Sequence, residues 1–265
     1  MKRHCVTIAL LSVLVAGLAC SPGSAQTTVS GVGLTVSPAK FEISMPPGTV
    51  YNIPVTIQNG TTSTTHIQAS MVDFNILPNG EAQFLPVGSR PYSLMKWASI
   101  NPREFDLAAG NTQQVRVSLS VPKKDLSGEY AGIVFFQTRP TRTGPGRVAF
   151  SVRIATKIYM TIPDTVKIDG AIAKMNALNS PRGEMYRILF KNTGNAHVYL
   201  NSGELQVRSA SGELVDRLAL PQNALVERGG SLLIQVSGKS LPQGKYQAVA
   251  TVDYGGKTMT GGEIE

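Results

Sequence analysis

Nucleophilic catalysis needs a base, usually histidine, set against a serine or cysteine and oriented by an acid. The chain has three histidines and two cysteines. His4, Cys5 and Cys20 fall within the first 25 residues, which leaves His66 and His197, far apart in sequence. No Gly-x-Ser-x-Gly motif accompanies them. Asp73, Asp106, Asp125 and Glu129 follow no spacing that marks a glycosidase pair. Gly31-Val32-Gly33 leads into no helix, so it is not a phosphate cradle. Acidic residues at calcium-loop spacing are missing. No basic run with interleaved aromatic residues suggests nucleic acid. The residues therefore predict a protein that is not an enzyme, with no cofactor, no metal and no nucleic-acid partner. Recognition is the chemistry that remains, and strands must carry it.

The composition supports that expectation. The 265 residues are 42% hydrophobic and 16% charged, which fits one large or two ordinary globular domains. Lys2, Arg3 and His4 precede an uncharged apolar run from Val6 to Leu18, and the small residues Gly23-Ser24-Ala25 follow. This pattern predicts a signal peptide over residues 1–25, cut before Gln26, and a mature chain in the periplasm. Lipidation at Cys20 is the alternative, although Gly17 stands where a lipoprotein signal carries an aliphatic residue. Cleavage would remove both cysteines, so the core alone would have to hold the fold. Losing Lys2 and Arg3 would take two from the formal net charge of +8 and leave a basic protein suited to acidic partners. No transmembrane segment is expected in the mature chain.

The rest of the sequence alternates with period two. Tyr51, Ile53, Val55 and Ile57 do so before Asn59-Gly60. Val115, Val117, Leu119 and Val121 alternate with Arg116, Ser118 and Ser120, and Leu232, Ile234 and Val236 repeat the pattern. Asn79-Gly80 marks a hairpin between two such runs. A short helical turn fits Tyr92 to Trp97. The predicted fold class is all-β, with two tandem immunoglobulin-like sandwiches.

An internal repeat supports the number two. Ile57-Gln58-Asn59-Gly60, Leu107-Ala108-Ala109-Gly110, Val115-Arg116-Val117 and Gly128-Glu129-Tyr130 recur in order. Their counterparts are Phe190-Lys191-Asn192-Thr193-Gly194, Arg228-Gly229-Gly230, Leu232-Leu233-Ile234-Gln235-Val236 and Gly244-Lys245-Tyr246. Each Gly-x-Tyr resembles a tyrosine corner, whose hydroxyl bonds to nearby backbone. The expected domains are 26–163 and 164–265, divided at Ile162-Pro163-Asp164, because proline ends a strand.

Residues 128–163 are the most distinctive stretch. Gly128 to Phe136 makes one strand, Pro140 to Gly146 a loop, and Val148 to Tyr159 a long last strand. Val148, Phe150, Val152 and Ile154 share one face, and Lys157 lies on the other. Alternation alone suits a strand buried in its own core as well as one offered to a partner.

The first domain resembles the N-terminal domain of periplasmic chaperones of the chaperone–usher pilus pathway. The matching text is Leu34-Thr35-Val36-Ser37-Pro38-Ala39-Lys40-Phe41, Trp97, Asn101-Pro102-Arg103-Glu104-Phe105-Asp106-Leu107, Gly110, Gln114-Val115-Arg116-Val117, Gly128 to Phe136, and the run into Thr156-Lys157-Ile158. It covers about residues 33–163. The second domain matches chiefly through Asp253-Tyr254-Gly255-Gly256. The resemblance implies a chaperone that lends its last strand to a pilin-like or other secreted β-rich subunit by β-augmentation, with an outer-membrane usher as a further partner. It implies donor residues Val148, Phe150, Val152 and Ile154, and a carboxylate anchor made of Lys157 and Lys40. The family carries Arg at the position of Lys40, and a lysine there offers a point charge without the planar fork. The other reading is a structural or adhesive cell-envelope protein built from tandem immunoglobulin-like domains.

Overall fold

The computed structural model describes residues 29–31, 33–140, 151–180 and 183–260. The expected signal peptide, both cysteines, Val148 and Phe150 lie outside these residues. Strand is the dominant element of the described residues, as the alternation requires. In the first half the strands are β1 (Val29–Gly31), β2 (Leu34–Ser37), β3 (Lys40–Ser44), β4 (Val50–Asn59), β5 (Thr65–Ile76), β6 (Ala82–Leu85), β7 (Ala98–Asn101), β8 (Glu104–Leu107), β9 (Thr112–Ser120), β10 (Glu129–Thr138) and β11 (Arg153–Thr161). One 3-10 turn, Met95–Trp97, sits where the sequence predicts a helical turn. In the second half they are β12 (Gly170–Ser180), β13 (Gly183–Asn192), β14 (Val198–Leu200), β15 (Ser202–Ser209), β16 (Leu214–Ala219), β17 (Ala224–Val226), β18 (Ser231–Ser237), β19 (Tyr246–Asp253) and β20 (Met259–Thr260).

The strands form two β-sandwiches, as the sequence predicts. In the first, the sheet β1-β2-β4-β9-β7 faces the sheet β3-β11-β10-β5-β6, with β8 paired to β5. The alternating residues Ile53, Val55, Ile57, Val115, Val117 and Leu119 meet Val134, Phe136, Ile158 and Met160 between the layers, all fully buried. In the second, β12-β13-β18 faces β16-β15-β19-β20, with β14-β17 beside them. Tyr186, Ile188 and Phe190 there meet Leu205, Val207, Ala250 and Val252. Each large aliphatic chain so buried contributes on the order of 1.5–3 kcal/mol. No helix among the described residues is long and apolar enough to cross a membrane.

The repeat seen in the sequence has a physical basis in two asparagines. Asn59 and Asn192 are both fully buried. The Asn59 amide nitrogen donates to the carbonyls of Leu107 (2.8 Å) and Ser63 (2.9 Å). Asn192 donates to those of Ala196 (2.8 Å), Val226 (3.1 Å) and Glu227 (3.1 Å). Each therefore ties the end of its strand to a later turn. The two turns match: Asn111 N donates to Ala108 O in one, and Gly230 N to Glu227 O in the other. Gly110 and Gly229 occupy the same left-handed position, with φ of 72° and 68°. Leu107-Ala108-Ala109-Gly110 thus corresponds to Val226-Glu227-Arg228-Gly229. The tyrosine corner forms in the second sandwich, where the Tyr246 hydroxyl donates to Pro242 O at 2.8 Å. In the first, Tyr130 instead stacks on Trp97 at 4.7 Å. Asn79-Gly80 lies in the β5–β6 hairpin loop, where Gly80 N donates to Leu77 O.

Replacing Asn192 by alanine leaves up to three buried carbonyls without a donor. Asn192→Ala is expected to lower unfolding stability by about 2–4 kcal/mol, read from urea melts. Asn59→Ala should cost a similar amount, because two carbonyls lose their donor and Thr61 N and Oγ1 lose their acceptor.

Candidate functional site: the β11 edge and the junction beside it

Strand β11 has two different halves. Along its whole length it pairs antiparallel with β10, from Arg153↔Gln137 to Glu129↔Thr161. On its other flank β3 pairs with it in parallel, but only from Lys157↔Lys40 to Thr161↔Ser44. No strand of the described residues pairs with Arg153–Thr156 on that side. The cause lies in the leading strand. β2 belongs to the opposite sheet, paired with β4, and the chain crosses to the second sheet only after Pro38 and Ala39. Lys157 N, donating to Ala39 O at 2.9 Å, is the first ladder bond toward β3. By the two-residue period, the N–H and C=O groups of Arg153 and Ala155 point to that same flank. Val152 O points the other way and accepts from Thr138 N at 2.9 Å.

The side chains of β11 also divide by face. Ile154 is 5% exposed and packs in the core of its own sandwich, and Val152 packs against that core half-buried. The opposite face carries Ala155, Lys157 and Tyr159. It continues across Ala131, Ile133 and Phe135 of β10 to Phe74 and reaches Leu225 of the second sandwich. This explains why β10 is buried on both faces and reads as an unbroken apolar run.

Lys40 and Lys157 are directly opposite in register, yet each holds its own partners. Lys40 Nζ donates to the Tyr199 hydroxyl at 3.0 Å and pairs with Glu42 at 2.9 Å. The bond to Tyr199, then that to Glu42, raises its pKa above the usual lysine value. Lys157 Nζ lies 3.2 Å from Glu227 Oε1 and 4.7 Å from the centre of the Phe74 ring. Glu227 is 4% exposed, and the same Oε1 accepts from the Tyr159 hydroxyl at 2.8 Å. Burial and then Glu227 drive the Tyr159 pKa far up, so the phenol stays a donor. The structure therefore sets the two lysines side by side on one ladder, with Lys157 already neutralised from the second sandwich.

The contacts across the junction come from residues that the sequence did not single out. Arg228 Nη1 donates to Glu129 O at 2.6 Å and Ser127 O at 3.3 Å, and the Tyr92 hydroxyl donates to Arg228 O at 2.9 Å. His197 Nδ1 lies 2.5 Å from Glu129 Oε2, His197 N donates to Glu129 Oε1 at 3.1 Å, and Nε2 is 3.6 Å from Glu42. The His197 ring stacks on Tyr159 and meets Tyr199 edge-on. A cavity of about 300 Å³ opens there, lined by Glu42, Ser44, Glu129, Tyr159 and His197 among others. A signal for Glu227 and Arg228 did exist. The repeat puts Ala108 and Ala109 at the same turn positions in the first half, so the two charges in the second half are not required by the turn itself.

The other acids and the second histidine have structural partners. The buried Asp73 carboxylate accepts from Gly88 N, Arg90 N and the Ser93 hydroxyl, which organises the loop after β6. Asp106 pairs with His66 at 2.7 Å. Among the described residues no three His, Cys, Asp or Glu side chains gather as metal ligands.

No known family's sequence profile matches the chain. No curated protein matches it in sequence. Solved structures do. The chain is similar to the class 5 fimbriae chaperone CfaA, at 12% identity over 88% of this chain and 99% of that one, with a TM-score of 0.48. It is similar to the chaperone–tip subunit CsuC–CsuE complex from the archaic chaperone–usher Csu pili of Acinetobacter baumannii, at 13% identity over 87% and 97%, with a TM-score of 0.47. It is also similar to the Escherichia coli chaperone DraB, at 14% identity over 88% and 96%, with a TM-score of 0.41.

The junction should respond to pH. Burial opposes a charge on His197, but the hydrogen bond and charge of Glu129, with Glu42 and Glu227 beyond, outweigh it and raise the pKa above 6.5. A raised histidine pKa stabilises fully below the unfolded value and less as pH climbs through the folded one. The melting temperature should therefore fall as pH rises from about 6 to 9. His197→Gln, which keeps a donor but cannot titrate, should flatten that fall in thermal scans.

Proposed function

We propose that this chain is a non-enzymatic, periplasmic chaperone-like protein that binds pilin-like or other secreted β-rich subunits through the edge of β11. The observation that carries the reading is the unpaired flank of Arg153–Thr156. A strand paired on one side only is a template for another chain, and β-augmentation uses such an edge. The sequence resemblance of residues 33–163 to pilus-assembly chaperones supplies the partner class and the compartment. A subunit strand adding beside Arg153 and Ala155 would continue the sheet β3-β11-β10 on the flank that β3 leaves.

In this reading the donor set is Val148, Phe150, Val152 and Ile154. Ile154, seated in the chain's own core, serves to fix the strand. Val152 and the residues before it would then turn their apolar side to the subunit. Lys157 and Lys40 would anchor the subunit's terminal carboxylate at the end of that flank. To do so Lys157, half-buried and already paired with Glu227, must share its ammonium between two carboxylates or exchange one for the other. An outer-membrane usher would be the next partner. The expected domain division at Ile162-Pro163-Asp164 keeps the edge and the anchor on the first domain and lets the second domain lend Glu227 and Arg228 across the junction.

The test removes one edge donor without touching the core. Proline at 155 deletes an N–H that points away from β10 and is tolerated at sheet edges. Ala155→Pro is expected to weaken capture of a co-expressed subunit lacking its final strand at least tenfold, a loss of about 1.4 kcal/mol or more, while the circular dichroism spectrum stays the same. Full capture by a folded Ala155→Pro protein would favour the tandem-domain envelope reading instead. In a second variant, Glu227→Gln should free Lys157 and tighten capture of subunits ending in a free carboxylate, but not of subunits with an amidated terminus.

A further inference from the structure

The outward face of the second sandwich's β12-β13-β18 sheet carries charge of one sign. Its register puts Lys174 beside Leu189 and Leu233, Asn176 beside Arg187 and Gln235, and Lys191 beside Ser231. Ile172, Met175 and Ala177 turn inward to the core, as do Tyr186, Ile188 and Phe190. Among the described residues the outward positions of these three strands include three cations and no acid. None of the three forms an ion pair with a described residue.

A recess of about 270 Å³ opens on this face, bounded by Lys174, Asn176, Arg187, Leu189, Leu233 and Pro78. Pro78 belongs to the β5–β6 hairpin of the first sandwich, and its carbonyl accepts from Leu233 N at 2.8 Å. The hairpin tip therefore forms one wall. Arg187 Nε is buried in this setting and has no hydrogen-bond partner. A buried guanidinium donor left unbonded costs free energy, and no described acid offsets the charge of this one.

We propose that this recess is an anion-binding site that takes a carboxylate from an acidic segment of a partner protein. The carboxylate would lie against the part of the Arg187 guanidinium that lines the recess, with Lys174 as the second charge. Leu189, Leu233 and Pro78 lower the polarity beside the pair and strengthen it. The recess selects a protruding side chain. A flat anionic lipid surface would meet the rims of Lys174 and Lys191 but not enter the recess. This site is separate from the β11 edge and does not depend on the chaperone reading.

The test uses the full chain and a fluorescent deca-glutamate peptide, with binding followed by anisotropy at low salt. Wild type should bind, Arg187→Gln should weaken binding about tenfold, and Lys174→Gln about threefold, as loss of a charge-assisted bond predicts. Arg187→Lys keeps the charge without the fork and should fall between Arg187→Gln and wild type. Lys245→Gln removes an exposed charge elsewhere and should change nothing. Lys174 is exposed, so its variant keeps the test decisive if Arg187→Gln fails to fold. The proposal is overturned if wild type does not bind, if Lys174→Gln or Arg187→Gln binds as wild type does, or if Lys245→Gln loses as much as they do. Arg187-dependent binding to phosphatidylglycerol vesicles without peptide binding would overturn it in favour of a lipid surface.

Discussion

Every backbone N–H and C=O in a strand needs a partner, and β11 runs out of partners halfway along. The cause is a single strand that serves two sheets. β2 closes one sheet against β4, and only after Pro38 and Ala39 does the chain reach β11 as β3. A longer β3 would seal β11, while a chain that never crossed would expose all of it. The sheet switch therefore fixes where the open edge ends, directly before Lys157.

The second sandwich matters because it supplies charge where the first has none. The turn that ends at Gly110 in the first repeat carries two alanines. Its counterpart carries Glu227 and Arg228, and both reach across the junction to Lys157, Tyr159 and the backbone of residues 127–129. Buried ion pairs of this kind add little net stability but strongly disfavour arrangements that separate them. They hold the cleft face of β10 and β11 in a defined relation to its neighbour. His197 and Glu129 add a titratable contact to the same junction.

Much of the fold was legible because it is local. Alternation in residues 51–57, 115–121 and 232–236 has one physical cause, a strand with one buried side, and the cores are built from those residues. Asn59 and Asn192 were visible as repeat markers because their turns lie at matching places. Two things were not legible. Alternation does not reveal which body a face turns to, so Ile154 fitted a donor role and a core role equally, and the structure seats it in its own core. The pairing of Lys157 with Glu227 spans 70 residues, and nothing local in either segment encodes it. The resemblance set Lys40 and Lys157 together as a pair, and the ladder holds them opposite each other, but the partners each lysine has were beyond what spacing can express.

The edge itself can be read directly by amide hydrogen exchange, residue by residue, on the free protein. Ile154 and Thr156 bond to β10, and Lys157 bonds to Ala39, so their amides should be protected. Arg153 and Ala155 should exchange far faster, and should slow only when a subunit is bound. Equal protection of all five amides in the free protein would contradict an open edge and the function built on it.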